Sequence, residues 1–162
     1  MSLRRRQQGK GNPADDSGQR AVRDNLFRSS GAAILIEGDT SYLFESGAVR
    51  DIEISGNVFD NCGTSARDSL SDWGRGEAPI TISPSYSPKD SRSPAYHRVI
   101  KICGNHFRCF DNALLYARSV DGLKFVGNSV EHTSDYAPIL KQCTPISLDA
   151  CRYVRIHKKL GH

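Results

Sequence analysis

The 162-residue chain has room for one domain with a substantial core, and its 38% hydrophobic and 25% charged residues are typical of a folded globular protein. This composition excludes a mainly disordered chain, and the lack of any long apolar run excludes a membrane-spanning helix. The net charge of +4 comes mainly from basic clusters at the two ends. Because these clusters lack interleaved aromatic residues and a recognition helix, they do not indicate nucleic-acid binding.

The two ends of the chain have the composition of additions to a domain. Residues 1–20 are expected to form a flexible polar lead-in, because they contain too little apolar surface to fold alone. Residues 1–3 and 161–162 read as remnants of cloning and of a tag, and no signal peptide is visible. We therefore expect an excised piece of a longer protein, whose own signal lies elsewhere.

An asparagine-centred turn recurs along the chain. Its four copies are Asp24-Asn25-Leu26-Phe27, Gly56-Asn57-Val58-Phe59, Gly104-Asn105-His106-Phe107 and Gly127-Asn128-Ser129-Val130. Three copies follow a strand with apolar residues five and three positions before the asparagine, and the asparagines lie 32, 48 and 23 residues apart. The shortest interval defines a bare repeat, so residues 21–160 are expected to form one domain with insertions at 39–48 and 64–94.

A second apolar strand follows each asparagine. The copies are residues 33–36, 79–82, 113–116 and 138–140, with 146–148 as a shorter echo. Short strands in constant register, without helical period, predict an all-β solenoid, specifically a right-handed parallel β-helix of few coils that is truncated. Asparagine suits its corners, because it tolerates the left-handed conformation and its amide can bond to the next asparagine. A β-sandwich does not predict this constant register.

The densest group of reactive side chains lies at the first insertion. If Ile34 and Ile36 point into the core, strand alternation turns Glu37 and Asp39 outward on one face. Two such carboxylates lie about 7 Å apart, near the separation that allows an inverting glycosidase to place a water beneath the sugar. Glu37, Asp39 and Glu45 are therefore the candidate catalytic acids. The alternative is that they are solvated or pin the loop.

Three further residues are candidate substrate contacts. Tyr42 lies among the acids, and a ring beside carboxylates is typical of a sugar subsite. Trp73 is the only tryptophan and falls in the second insertion, where it is either a sugar platform or a lid. Alignment by the asparagines places Arg118 level with Gly38, so Arg118 is expected near the same face, where it can hold substrate or pair with an acid.

Other chemistries find no support in the motifs. The sequence has no GxSxG, no glycine-rich phosphate loop, no HExxH and no calcium loop. The five cysteines lack the spacing of a zinc site, and the histidines fall at different repeat positions, so neither a metal nor another cofactor is expected. The cysteines are interpreted as buried free thiols. A lyase with calcium-binding acids and an arginine base ranks below hydrolysis.

Residues 27–39, 42–54 and 112–123 carry a family resemblance, and its most specific part is the Tyr-x-x-Glu-Ser-Gly segment that begins at Tyr42. From residue 25 to residue 130 the chain resembles the bacterial α-1,3-galactosidases of glycoside hydrolase family 110. The resemblance implies a longer parallel β-helix enzyme that releases α-linked galactose with inversion and without a metal. It also implies that this chain is a C-terminal fragment of such an enzyme.

The expected function is thus that of a part of a glycan-degrading hydrolase from the bacterial periplasm or exterior. Its expected partner is an oligosaccharide with terminal galactose, and neither nucleic acid nor a membrane is expected. The alternative is a non-catalytic β-helix module that binds glycan or buttresses an upstream catalytic domain. Because a cut solenoid exposes its edges, end-to-end homo-oligomers are also expected.

Overall fold

The computed structural model describes residues 20–38, 47–64, 78–85, 93–138 and 144–157. Within these ranges the regular structure is entirely β, in thirteen strands. No helix in the described part of the chain is long and apolar enough to cross a membrane. Residues 1–19 of the expected lead-in, most of both expected insertions and residues 158–162 lie outside the described residues.

The strands form three parallel sheets. In chain order they are β1 (Arg20–Arg23), β2 (Leu26–Phe27), β3 (Ile34–Ile36), β4 (Arg50–Ser55), β5 (Val58–Asp60), β6 (Ile80–Ile82), β7 (His97–Cys103), β8 (His106–Cys109), β9 (Leu115–Arg118), β10 (Val120–Val126), β11 (Ser129–His132), β12 (Ile146–Asp149) and β13 (Arg155–His157). The first sheet has the order β1-β4-β7-β10-β13, the second β2-β5-β8-β11 and the third β3-β6-β9-β12. The chain therefore enters the three sheets in the same sequence in each repeat, in agreement with the predicted all-β class.

The register of the first sheet is the one that the repeat predicts. Ile100 of β7 pairs with Ile52 of β4 and with Leu123 of β10, and the next apolar positions pair in the same way. Ile100, Ile102 and Leu123 are fully buried. Equivalent side chains thus stack about 4.8 Å apart in a core to which all three sheets contribute.

The four asparagines form a ladder between the first and second sheets. The backbone N–H groups of Asn25, Asn57 and Asn105 each donate to the side-chain oxygen of the next asparagine, at 3.0, 3.0 and 2.9 Å. The side-chain amide of Asn105 also donates to the carbonyl of Ile54 at 2.9 Å. This interlock satisfies buried polar groups in every repeat and confirms the predicted turn ladder.

One detail of the predicted turn is wrong. The left-handed conformation falls on the residue before the asparagine, at Asp24, Gly56, Gly104 and Gly127, with φ between 56° and 65°. Glycine dominates this position because it has no Cβ to clash in that region. The corner therefore requires the asparagine for its side-chain hydrogen bonds, and the residue before it adopts the left-handed backbone conformation.

Phenylalanine rings of successive repeats stack on one another in the second sheet. The ring of Phe59 lies 5.2 Å from that of Phe27 and 4.8 Å from that of Phe107, and both pairs are close to parallel. Phe59 and Phe107 are fully buried, so each contributes its whole ring to the core. The predicted interior columns are therefore present in the second sheet.

The last strand of the third sheet falls on the predicted shorter echo, residues 146–148. This strand, β12, pairs with β9, and Ile146 lies opposite Leu115. Residues 138–140, expected as the main strand of this repeat, contribute no described strand, and residues 139–143 lie outside the described residues. Both segments carry apolar residues two apart, and the pairing with β9 selects the later one.

The cysteines that the structure describes are free thiols. Cys62 and Cys109 are buried, and Cys103 and Cys151 are half-buried. Burial raises the pKa of the Cys62 and Cys151 thiols, which keeps them protonated and unreactive at neutral pH. Cys143 lies outside the described residues.

Candidate functional site

The carboxyl ends of the third-sheet strands bring one side chain per repeat into a row. Ile36, Ile82 and Ala117 are level with one another, and each is followed by the residue that enters the row. Arg118 and Asp149 are paired directly. We call these four residues the edge row: Glu37, Ser83, Arg118 and Asp149.

This register corrects the predicted alignment by one residue. Arg118 is level with Glu37 and not with Gly38. Ile34 follows Asn25 by nine residues, whereas its partner position Leu115 follows Asn105 by ten, so the connection from the second to the third sheet is one residue longer in the later repeat. Counting from the asparagine therefore shifts everything beyond that connection.

Glu37 presents a solvent-exposed carboxylate. Ile34 and Ile36 are buried, so strand alternation turns Leu35 and Glu37 outward, as the sequence predicts. Two strand spacings, about 10 Å, separate the backbones of Glu37 and Arg118. Within the described part of the chain, no ion pair reaches Glu37.

Arg118 pairs with the acid on its other side. Its Nε lies 3.1 Å from Oδ2 of Asp149, with the Arg118 side chain 30% exposed and that of Asp149 58% exposed. Of the acids with which Arg118 could pair, Glu37 is not its partner among the described residues, and Asp39 lies outside them. The sequence analysis does not single out Asp149.

Tyr96 is a neighbour of Glu37 that the sequence analysis missed. Its ring lies against Gly38, where a Cβ would overlap three ring carbons. The backbone N–H of Tyr96 donates to Oγ of Ser119 at 2.9 Å, which holds the backbone from which the ring extends. The only sequence signal of this contact is the small residue directly after Glu37, because the ring belongs to a residue of the following repeat.

A buried histidine supports that ring. His97 is fully buried, and its ring meets the Tyr96 ring edge-on with centroids 4.8 Å apart. Its Nδ1 accepts the backbone N–H of Val49 at 3.2 Å. Burial lowers the pKa of His97 to about 4, so the imidazole is neutral at neutral pH. Its Nε2 has no hydrogen-bond partner among the described residues.

The other predicted site residues cannot be compared with the structure. Asp39, Tyr42, Glu45 and Trp73 lie outside the described residues, and their roles stay predictions. No group of three histidine, cysteine, aspartate or glutamate side chains close enough to hold a metal ion occurs in the described ranges.

The local chemistry of the edge row suits a polyhydroxylated ligand. The Glu37 carboxylate can accept hydrogen bonds from hydroxyl groups, and the half-buried Tyr96 ring lies against the residue that follows Glu37. Arg118 adds N–H donors, although Asp149 engages one of its nitrogens. Hydrogen-bond acceptors, donors and an aromatic ring thus lie near the carboxyl ends of the third-sheet strands.

Comparison with known proteins identifies relatives of this chain. It is 39% identical over 140 residues to alpha-1,3-galactosidase B of Bacteroides thetaiotaomicron, a match that covers 86% of this chain and 22% of the relative. It is 35% identical over 132 residues to alpha-1,3-galactosidase A of Bacteroides fragilis, covering 81% and 20%. Over most of its length the chain is therefore similar to alpha-1,3-galactosidases. It spans about a fifth of the length of these curated relatives.

The matches to alpha-1,3-galactosidases confirm the resemblance seen in the sequence. A third relative, alpha-1,3-galactosidase B of Akkermansia muciniphila, is 39% identical over 116 residues, which cover 71% of this chain and 14% of the relative. No family model matches the chain. Among the described residues, the edge row holds the candidates for a functional role.

Proposed function

We propose that the chain is part of an inverting α-1,3-galactosidase that acts on terminal α-galactosides, and that it forms coils of a right-handed parallel β-helix. Two observations support the fold: the chain enters the three parallel sheets in a fixed order, and an asparagine ladder joins successive repeats. The kinship with alpha-1,3-galactosidases carries the functional part of the proposal.

The proposed chemistry is hydrolysis with two carboxyl groups. One protonates the glycosidic oxygen as the bond to the anomeric carbon breaks, and the other takes a proton from the water that attacks that carbon from the opposite face. Glu37 is the proposed member of the pair within the described residues, because it is exposed and unpaired there. Asp39 or Glu45 is the proposed second member. Tyr42, Trp73 and Arg118 are proposed substrate contacts, and we propose Tyr96 as a fourth, because its ring lies against the residue after Glu37.

The test is hydrolysis of para-nitrophenyl α-galactoside and of α-1,3-galactobiose by the chain and its variants. Glu37→Gln, Asp39→Asn and Glu45→Gln keep the side-chain shape and remove the carboxylate. Loss of a positioned acid or base is expected to lower kcat by at least about 100-fold. Glu131→Gln is the control, because Glu131 is an exposed glutamate on the second sheet, away from the edge row. Equal rates for all five proteins would contradict the proposed roles.

A second candidate function is a non-catalytic wall that binds galactoside beside an acid pair located elsewhere. The Arg118–Asp149 pair favours it, because this pairing leaves one unpaired carboxylate in the described edge row, whereas inversion requires two. Binding of methyl α-galactoside without turnover, and with affinity lowered in Tyr96→Ala, would select this function.

A further inference from the structure

A polar cavity of about 550 Å³ opens at the carboxyl ends of the second-sheet strands. This volume lies within the usual range for sites that bind small molecules. The edge row belongs to the third sheet and contributes none of its lining residues. We call this cavity the second-sheet cavity, and its lining includes Arg28, Asp60, Asn61, Asp135 and Tyr136.

Asp60 forms the fixed floor of the second-sheet cavity. Its carboxylate is more than nine-tenths buried and is held from both sides, with Oδ2 at 2.7 Å from Nε of Arg28 and Oδ1 at 2.6 Å from an Nη of Arg108. Charge-assisted bonds of this length are strong and directional. They hold the Arg28 side chain, which is 72% exposed, at the mouth of the cavity.

Asp135 is oriented by residues distant in the sequence. The side-chain amide of Asn61 donates to Oδ2 of Asp135 at 2.7 Å, and the amide oxygen of Asn61 accepts the hydroxyl of Thr133 at 2.7 Å. Because the ionised Asp135 carboxylate only accepts hydrogen bonds, the NH2 group of Asn61 faces Asp135 and its amide oxygen faces the Thr133 hydroxyl. A carboxylate at the rim is therefore held in place before any ligand arrives.

Tyr136 supplies an exposed but anchored ring. It is 51% exposed, and its inner edge packs against the buried Phe110 with ring centroids 5.3 Å apart. A large aromatic side chain in a polar cavity gives a ligand an apolar surface at low cost in side-chain entropy. The ring and the Asp135 carboxylate belong to adjacent residues of the same connection.

We propose that the second-sheet cavity binds a neutral sugar residue. Arg28 and Arg108 both pair with Asp60, and the Asn61 amide donates to Asp135, so these charged groups are already engaged within the protein, which favours a neutral ligand over an ion. Carboxylate oxygens accept and guanidinium N–H groups donate, and a sugar hydroxyl can serve both at once. The Tyr136 ring then covers the apolar face of the pyranose. This binding does not require the proposed hydrolysis, and it uses none of the proposed catalytic acids.

The test is calorimetric titration of the chain with the methyl glycosides of galactose, glucose and N-acetylglucosamine, and with galactose 6-sulfate. At least one neutral glycoside is expected to bind, with its association constant lowered tenfold or more by Tyr136→Ala and by Asp135→Asn. Tyr153→Ala is the control, because Tyr153 is a more exposed tyrosine, 83%, outside the cavity lining. Asp135→Asn keeps the proposal testable if Tyr136→Ala fails to fold.

Three results would overturn the proposal: no neutral glycoside binds, only the sulfated sugar binds, or both cavity variants bind as the unmodified chain does. Glu37→Gln is the second control and is expected to retain this binding. If hydrolysis fails while Tyr136-dependent binding persists, the proposed function fails alone. If binding is lost in Glu37→Gln and kept in Tyr136→Ala, the cavity proposal fails alone.

Discussion

The ring of Tyr96 lies directly against the α-carbon of Gly38, the residue that follows Glu37. Gly38→Ala is therefore expected to push the ring away and to lower the free energy of unfolding by about 1–2 kcal/mol, as overpacking usually does. In a Tyr96→Ala background the same change is expected to cost close to nothing. Urea denaturation of the two single variants and the double variant measures this coupling. Additive effects would show that the contact is absent.

The asparagine ladder predicts a position-dependent stability loss. Asn105 accepts the backbone and side-chain N–H groups of Asn57, and it donates to Asn128 and Ile54. Asn105→Ala orphans several buried polar groups and is expected to lower the free energy of unfolding by about 3 kcal/mol or more.

The control for this prediction is Asn25→Ala. Asn25 is exposed and accepts no ladder bond among the described residues, so its loss is expected to cost about 1 kcal/mol or less. Urea denaturation measures both variants. Similar losses at the two positions would argue that the ladder contributes little beyond the turn itself.

Val99 occupies a left-handed position in the first sheet. Asp51, Gly122 and Tyr153 are at the equivalent place in other repeats, and all four have φ between 52° and 78°. A β-branched residue is strained there. Val99→Asn is expected to raise the free energy of unfolding by about 0.5–1 kcal/mol, because asparagine tolerates this conformation.

Gly122→Val is the matched test, because it places a β-branched residue at the equivalent position of another repeat. A Cβ at Gly122 would meet its neighbours at 3.7 Å or more, so space is available and only the backbone conformation opposes it. Gly122→Val is expected to destabilise by about 1–2 kcal/mol. Thermal and urea denaturation would detect both shifts, and a destabilised Val99→Asn would contradict the assignment of strain.

His97 predicts a pH-dependent stability in a defined window. Burial holds its pKa at about 4 in the folded chain, below the unfolded value of about 6.5, so the unfolded state binds more protons between these values. Its contribution is present above pH 6.5 and is lost as the pH falls towards 4, by up to about 3 kcal/mol.

Urea denaturation between pH 4 and 7.5 measures this slope, and His97→Phe is expected to flatten it. Carboxylates lose their stabilising contribution at lower pH than His97 does. A hydrogen bond from Arg152 lowers the pKa of Asp121, so the contribution of Asp121 to stability is lost only in stronger acid. A slope that is unchanged in His97→Phe would assign the pH dependence to other groups.

The sequence predicts those parts of the fold that repeat at short range. The strand register and the asparagine ladder follow from residues at constant spacing within each repeat, such as Ile100 and Ile102 ahead of Asn105. Counting fails where a connection changes length by one residue, which is why Arg118 lies level with Glu37. The strand choice at Ile146 depended on pairing with a distant strand, which composition does not reveal.

The candidate site was less predictable, because its contacts join different repeats. Tyr96 meets Gly38 from 58 residues away in the chain, and Asn61 meets Asp135 across 74. Nothing in the local sequence of either residue signals its partner. Glu37 could be predicted because strand alternation alone turns it outward after Ile36.

The most direct test of the proposed galactoside site is an amide-resolved NMR titration of the 162-residue chain with methyl α-galactoside. Saturable shifts are expected at Glu37, Gly38 and Tyr96, with the ladder amides of Asn57 and Asn105 unmoved as evidence of an intact fold. Shifts at the second-sheet cavity would form a separate set and would vanish in Tyr136→Ala. If Glu37, Gly38 and Tyr96 stay unmoved in a folded chain at saturating sugar, the edge row is not a galactoside site.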